Sequence, residues 1–192
     1  MKILVFTSKL KGLKCLEVLF SKFNDDEYIF IVSNPDAEQI IENIEQNNHK
    51  YMLLNDSSLN WIKSKDEKYF DWLLNLWAGF IFDEDILSRA NKSLNLHPSY
   101  LPYGRGKFPI LRAVKLGQPA GVTMHQMTTD LDEGAIIYQE EVPYSFPITG
   151  GQLYDKVIER CWISFNQEWP HIRTSNNISK PQDTKQKYPT YR

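Results

Sequence analysis

Cysteine is scarce in this 192-residue sequence: Cys15 and Cys161 are the only two. Neither has a second Cys or a His at metal-ligand spacing, and no His-Glu-x-x-His occurs, so the sequence offers no metal site. Each sits in an apolar helical pattern, Leu13-Lys14-Cys15-Leu16 and Cys161-Trp162-Ile163, and reads as a small buried hydrophobe that suits a reducing compartment. The first apolar run, Ile3 to Phe6, is followed by Ser8-Lys9-Leu10-Lys11-Gly12 and not by Gly-x-Gly-x-x-Gly. The close backbone approach that a dinucleotide pyrophosphate needs is therefore missing. There is no Gly-x-x-x-x-Gly-Lys-Ser/Thr loop either. The formal net charge is −2, which gives no electrostatic footprint for a nucleic acid partner. No apolar run approaches the ~20 residues that span a bilayer, and Met1 to Phe6 reads as a strand rather than as the lead of a signal peptide. The expectation is a cytoplasmic protein with no membrane partner.

What is present is an ordinary globular balance, 42% hydrophobic and 24% charged, with strand and helix patterns in alternation. Lys2 to Thr7 reads as a buried strand. Leu10 to Phe23 follows with Leu13, Leu16, Leu19, Phe20 and Phe23 at helical spacing. Tyr28 to Val32 is a second strand, closed by Asn34-Pro35. Ala37 to Gln46 is a helix through Ile40, Ile41 and Ile44, and Tyr51 to Leu54 a third strand. Trp72 to Trp77 is short and apolar, as a central strand is. Asp83 to Ala90 reads as a helix with acidic residues in its first turn. Leu94 to His97 is a strand stopped by Pro98, and Lys107 to Leu116 a helix with Pro109 in its first turn. Gly121 to Met127 and Ala135 to Val142 are the last strands, and Gln152 to Trp169 is a long helix. Strands that are apolar on both faces and alternate with helices imply an α/β fold with a mostly parallel sheet covered on two sides. Residues 1–169 are expected to form one domain, and the polar stretch 170–192, with Pro170, Pro181 and Pro189, an irregular extension.

The informative run is Leu94-Asn95-Leu96-His97-Pro98, continuing to Gly106. Asn95 and His97 are two apart on a strand and share one side of it, with Leu94 and Leu96 on the other. Pro98 places His97 at the strand's carboxyl end, where open α/β sheets bind their ligands. Asp132, in the loop between the last two strands, is able to reach the same place. Imidazole shuttles protons near neutral pH, a carboxylate orients and charge-tunes it, and a side-chain amide donates to a developing oxyanion. That set suits acyl transfer to an amine, which needs no covalent nucleophile. His125, alternating with Thr123 on a strand, is either a wall of the site or a structural group. His49 and His171 have no such context.

The run Asn95-Leu96-His97-Pro98-Ser99, with Leu101-Pro102 and Arg105-Gly106, is followed by Gly117, Pro119 and Gly121-Val122-Thr123-Met124-His125. Asp130 to Gly134, Ile136-Ile137 and Gln139 complete the pattern. In these motifs the sequence resembles the folate-dependent formyltransferases, firmly from about Leu73 to Val142 and more weakly back to Met1. The resemblance implies a doubly wound, Rossmann-like domain, N10-formyltetrahydrofolate as donor, and Asn95, His97 and Asp132 as the catalytic residues. It places the folate against Trp77, Gly79, Phe80 and Ile81 and against Thr129, Asp130 and Gly134, with Gly79 allowing backbone to approach the ring. Tyr100 to Lys107 looks most like the branch acting on dTDP-linked 4-amino-4,6-dideoxy sugars, which often carries Asn where this chain has Gly104. That branch implies a nucleotide-sugar acceptor met by Tyr103, Arg105, Lys107 and His125, and a place in O-antigen or lipopolysaccharide synthesis. The alternatives are phosphoribosylglycinamide formyltransferase of purine synthesis and a non-catalytic folate- or nucleotide-binding protein on the same fold; the methionyl-tRNA formyltransferases of the family carry a further tRNA-binding domain. Members resembling this chain pair through carboxyl-terminal elements, so a homodimer is expected through Tyr144, Phe146, Tyr154, Trp162, Phe165 and Trp169.

Overall fold

The computed structural model describes residues 1–33, 38–175 and 179–183. The expected Asn34-Pro35 turn, the Ala37 helix start and Pro189 lie outside them. The chain divides into two compact units, Met1–Leu94 and Asn95–Arg192.

The first unit opens with β1 (Lys2–Thr7), whose Ile3, Leu4, Val5 and Phe6 are fully buried. Helix α1 (Lys9–Lys22) follows and buries Cys15, Leu16, Leu19 and Phe20. Gly12 lies in the middle of this helix, where it costs about 1 kcal/mol relative to Ala. The reason is contact: a Cβ there would stand 2.3 Å from Thr7 Oγ1. Strand β2 (Glu27–Val32), α2 (Glu38–Gln46) and β3 (Lys50–Leu53) come next. In α2, Ile40 and Ile44 are buried, four apart and so on one face. Helix α3 (Asp56–Lys63) starts with a capping box between Asn55 and Ser58. The pattern Asn55-Asp56-Ser57-Ser58 was a legible start signal, yet this helix is absent from the periodicity reading, because eight residues show barely two turns of it.

Strand β4 (Phe70–Leu76) and β2 both pair parallel with β1, and β3 pairs parallel with β2. The order in this unit is therefore β3-β2-β1-β4. The expected helix from Asp83 to Ala90 is a correction. Only Glu84–Leu87 is helical (α4), capped by Asp83, whose carboxylate accepts the Ile86 N–H at 3.0 Å. The chain then extends, because the carbonyls of Ser88 and Arg89 take the N–H groups of Lys68 and Phe70. Ala90 opens β5 (Ala90–His97), which runs through the boundary between the units.

In the second unit, the end of β5 pairs antiparallel with β6 (Gly121–His125), with Asn95 opposite His125 and His97 opposite Thr123. Strand β7 (Ile136–Glu141) pairs antiparallel with β6, across an irregularity at Met124/His125. Helix α5 (Pro109–Leu116) begins at Phe108, whose φ is 54°, and ends at a left-handed Gly117. Helix α6 (Gly150–Ile172) has a Thr149–Gln152 capping box and runs past Trp169, the expected end, because Pro170 lies in its last turns and forfeits only one N–H bond. With parallel pairing among β1 to β4 and antiparallel pairing from β5 through β7, the fold is a mixed, mostly parallel β-sheet flanked by helices. That is the α/β class read from the sequence.

Two of the aromatic residues expected on a dimer surface belong to the core instead. Phe165 and Trp169 are fully buried and stack on each other, with ring centroids 5.8 Å apart. The Tyr144 hydroxyl donates to the carbonyls of Ala113 and Gln118, whereas Phe146 is 61% exposed. Trp169→Ala should therefore lower the unfolding free energy by about 3–5 kcal/mol in urea titrations. Phe146→Ala should stay within about 0.5 kcal/mol of the parent.

Candidate active site

His97 ends β5, and a loop follows immediately. That loop is held by side chains of the neighbouring strands. Thr123 Oγ1 donates to Ser99 O at 2.7 Å and accepts the Leu101 N–H at 3.2 Å, and Gln139 Nε2 donates to Leu101 O at 2.8 Å. The loop contains a cis Leu101–Pro102 bond and brings Gly104 O to within 3.0 Å of His97 Nε2. A carbonyl only accepts, so Nε2 carries the proton. In the neutral ring Nδ1 is then the basic nitrogen, and it lies 3.6 Å from Asp132 Oδ2.

Asp132 is 8% exposed and left-handed, with φ 56°. Its Oδ2 accepts the Gly106 N–H at 2.7 Å, and its Oδ1 accepts from Asn95 Nδ2 at 3.2 Å. Burial by itself would raise this carboxyl's pKa. The His97 and His125 rings and the Gly106 N–H outweigh burial and hold it well below the usual carboxylate range. For His97 the balance is opposite. Burial pushes its pKa down from 6.5, and this exceeds the upward pull of the Asp132 carboxylate.

His125 completes the cluster from behind. Its Nδ1 meets Gln126 O at 2.6 Å and so carries a proton, which leaves Nε2 to accept from Asn95 Nδ2 at 2.9 Å. Both amide hydrogens of Asn95 are therefore engaged, one by His125 and one by Asp132. An oxyanion role for Asn95 requires one of these bonds to be exchanged. His125 is 2% exposed, and its Nε2 lies 2.9 Å from Asn95 Nδ2 and 3.6 Å from Asp132 Oδ1.

Arg105 is 4% exposed and meets internal partners: its Nε and Nη2 donate to Gln182 Oε1 at 3.2 and 2.7 Å, and its Nη1 lies 3.1 Å from Glu133 Oε1. Tyr103 is half-buried and Lys107 exposed. Thr129 and Asp130 are exposed, and Gly134 is buried, where a Cβ would stand 1.8 Å from Gln126 O.

The loop after β4 belongs to the first unit. Trp77 is left-handed, with φ 67°, and its carbonyl accepts from Ser8 Oγ. Asn75 Oδ1 accepts the Ala78 N–H at 3.1 Å, and Ser33 Oγ donates to Ala78 O at 2.7 Å. Gly79 has φ 64°, a left-handed backbone that glycine adopts without strain, and nothing lies within 4 Å of an added Cβ. Phe80 stacks on Phe6 at 5.3 Å, while Ile81 is 58% exposed. The sequence reading gave no part to Asn75, Thr123, Gln139 or Gln182. Thr123 and Gln139 stood within the quoted motifs. Gln182 carried no signal at all.

Among the described residues no group of three or more His, Cys, Asp or Glu is arranged to hold a metal, and no helix is long and apolar enough to cross a membrane.

The fold is of the Rossmann-like α/β class, and the Asn–His–Asp cluster stands at the end of one of its strands. The Formyl transferase family model matches residues 1–161, and the chain belongs to that family. Over 89 residues it is 45% identical to the methionyl-tRNA formyltransferase of Chromohalobacter salexigens, covering 45% of this chain and 27% of that protein. The structure of a sugar N-formyltransferase from Shewanella sp FDAARGOS_354 superposes with a TM-score of 0.80 at 21% identity, over 99% of this chain and 76% of that one. The formyltransferase PseJ from Anoxybacillus kamchatkensis is 25% identical, with a TM-score of 0.68 over 99% of this chain and 86% of its own. It was solved with UDP-4,6-dideoxy-4-formamido-L-AltNAc and tetrahydrofolate.

The cluster makes stability depend on pH. The unfolded chain titrates His97 near 6.5 and the folded one lower. The unfolded state thus binds more protons as pH falls through about 6.5, and stability drops until the folded value is passed. Urea titrations at successive pH values should show this limb flattened in His97→Asn. Asp132 contributes stability above its unfolded value of about 3.9 that is lost as pH falls further. That lower limb should be weakened in His97→Asn, which removes the largest interaction lowering the Asp132 pKa, and reduced furthest in Asp132→Asn.

Proposed function

We propose that the protein transfers a formyl group from N10-formyltetrahydrofolate to the amine of a nucleotide-linked amino sugar, of the dTDP-4-amino-4,6-dideoxyhexose kind. The single observation that carries the chemistry is the fixed tautomer of His97. With Nε2–H committed to Gly104 O, Nδ1 is the one ring position free to take a proton. As the amine attacks the formyl carbon, Nδ1 accepts the proton that the nitrogen must lose. The imidazolium so formed stands 3.6 Å from the Asp132 carboxylate, which stabilises it. The same proton then serves the departing folate nitrogen. Asn95 supports the oxyanion by exchanging one of its two amide bonds.

The sugar assignment draws on the Tyr100 to Lys107 loop and on the sugar nucleotide bound to PseJ. Since Arg105 is internally paired, Lys107 is the cation assigned to the acceptor's phosphates, with Tyr103 beside it in sequence. For the donor the residues proposed are Trp77, Gly79, Phe80, Ile81, Thr129, Asp130 and Gly134. The match to the curated methionyl-tRNA formyltransferase spans about a quarter of that protein (27%), and its long motif identity makes methionyl-tRNA the second acceptor to test. Cytoplasmic location and homodimerisation belong to the same reading, and light scattering that gives a monomer mass at micromolar concentration removes the dimer.

Steady-state release of tetrahydrofolate should be seen with a dTDP-4-amino sugar. It should be slower or absent with glycinamide ribonucleotide and methionyl-tRNA. Turnover with either of these and with no sugar nucleotide would reassign the acceptor. His97→Asn should lower transfer by about 10²–10⁴ while folate affinity changes little, because Asn cannot carry a proton near neutral pH. Transfer within about threefold of the parent would remove His97 from the proton path.

A further inference from the structure

Gln182 lies beyond α6 in the segment 179–183, which is tied to the first residue of β7. The Ile136 N–H donates to Lys180 O at 2.7 Å, and the Lys180 N–H donates back to Ile136 O at 2.8 Å. The Gln182 side chain is 7% exposed. Its Nε2 donates to two backbone carbonyls, Asp132 O and Gly134 O, each at 2.8 Å. Its Oε1 accepts both hydrogen bonds from Arg105. A carboxamide has two N–H groups and one oxygen with two lone pairs, so the whole capacity of this side chain goes to one loop and one cation.

That loop requires holding. Asp132 is left-handed, which costs a non-glycine residue on the order of 1 kcal/mol and persists only where surroundings impose it. Its carboxylate is held by Gly106 and Asn95, and the Glu133 N–H that follows it makes only a long bond, 3.4 Å, to Asp130 O. The Gly134 backbone lies against Gln126 O. Gln182 is the group that fixes the carbonyls on either side of Glu133, and the Arg105 it binds reaches Glu133 itself.

From this geometry we infer that Gln182 is a positioning residue: by holding the Asp132 and Gly134 carbonyls it keeps the Asp132 carboxylate beside His97 Nδ1. It acts through Asp132 and touches no reactant. The inference rests on the reading of this cluster as the reacting centre.

Two substitutions in the full chain separate the clamp from its alternatives. Gln182→Met fills the space and makes none of the four bonds. Gln182→Glu keeps the oxygen that Arg105 binds but turns an acceptor toward two carbonyls, so it pairs with Arg105 and releases the loop. Lys180→Ala retains the backbone bridge and is the control for the segment. The first readout is the titration of the His97 ring nitrogens by NMR. The groups acting on that ring are Asp132, His125, the Gly104 carbonyl and Arg112; Gln182→Glu keeps the Arg105 pairing and so isolates the loop that carries Asp132. Its withdrawal removes the upward pull, so the His97 midpoint should fall by about one pH unit in both Gln182 variants. The second readout is formyl transfer. Here kcat should fall by on the order of 10²-fold, as expected for a misplacement of about 1 Å, with KM nearly unchanged.

Parent-like titration and kcat in Gln182→Glu would show that the Arg105 pairing is what matters, and would overturn the clamp. Loss of the folded amide spectrum in both Gln182 variants would overturn it in favour of a purely structural part. If the parent transfers no formyl group to any acceptor, the functional reading fails, and the His97 titration still decides the role of Gln182.

Discussion

A buried carboxylate organises the second unit. Taking an ionised Asp132 out of water is costly unless its oxygens are satisfied, and the structure satisfies them from separate parts of the chain. The Gly106 N–H comes from the loop after β5, the Asn95 amide from β5 itself, and the His97 and His125 rings flank the two oxygens. Each contact removes freedom from the element that supplies it. The antiparallel register that sets Asn95 opposite His125 is also what allows one amide to reach both that ring and the carboxylate.

The histidines are distinguished by what their other nitrogen binds. Both rings spend one N–H on a backbone carbonyl, His97 through Nε2 to Gly104 and His125 through Nδ1 to Gln126. The nitrogens left over are different ones. In His125 that nitrogen is occupied by Asn95, whereas in His97 it faces the carboxylate at a distance too long for a hydrogen bond. Two rings of the same chemistry near the same Asp thereby acquire different capacities. One has both ring nitrogens in hydrogen bonds, and the other keeps Nδ1 3.6 Å from a carboxylate oxygen. The loop that supplies Gly104 O owes its position to Thr123 and Gln139, so strand residues set the tautomer of a histidine that they do not touch through its ring.

Charge pairing turned inward elsewhere as well. Arg105 follows a Tyr-Gly dipeptide in a polar loop, which by sequence reads as a surface cation poised for phosphate. In the fold it is buried against Gln182 and Glu133. A guanidinium is buried only with its fork satisfied, and the partner that satisfies it is 77 residues away along the chain. Phe165 and Trp169 show the apolar counterpart, since helical spacing gave their common face but not whether the unit itself would cover it.

Much was determined by the sequence alone. Apolar runs and helical periodicity gave the order of strands and helices, because burial on one or two faces imposes a period on the chain. The two-residue spacing of Asn95 and His97 before Pro98 gave a shared face at a strand's end for the same reason. Short or interrupted elements escaped: α3 carries too few turns, and α4 stops after one because carbonyls at 88 and 89 take up strand-like bonds. What only the tertiary structure decided is everything that depends on a partner far along the chain. The tautomer of His97, the confinement of His125 and Arg105 to internal roles, and the attachment of Gln182 to the Asp132 loop are all of this kind. Hydrogen bonds between distant residues leave no period in the sequence, so they became legible only once the chain had folded.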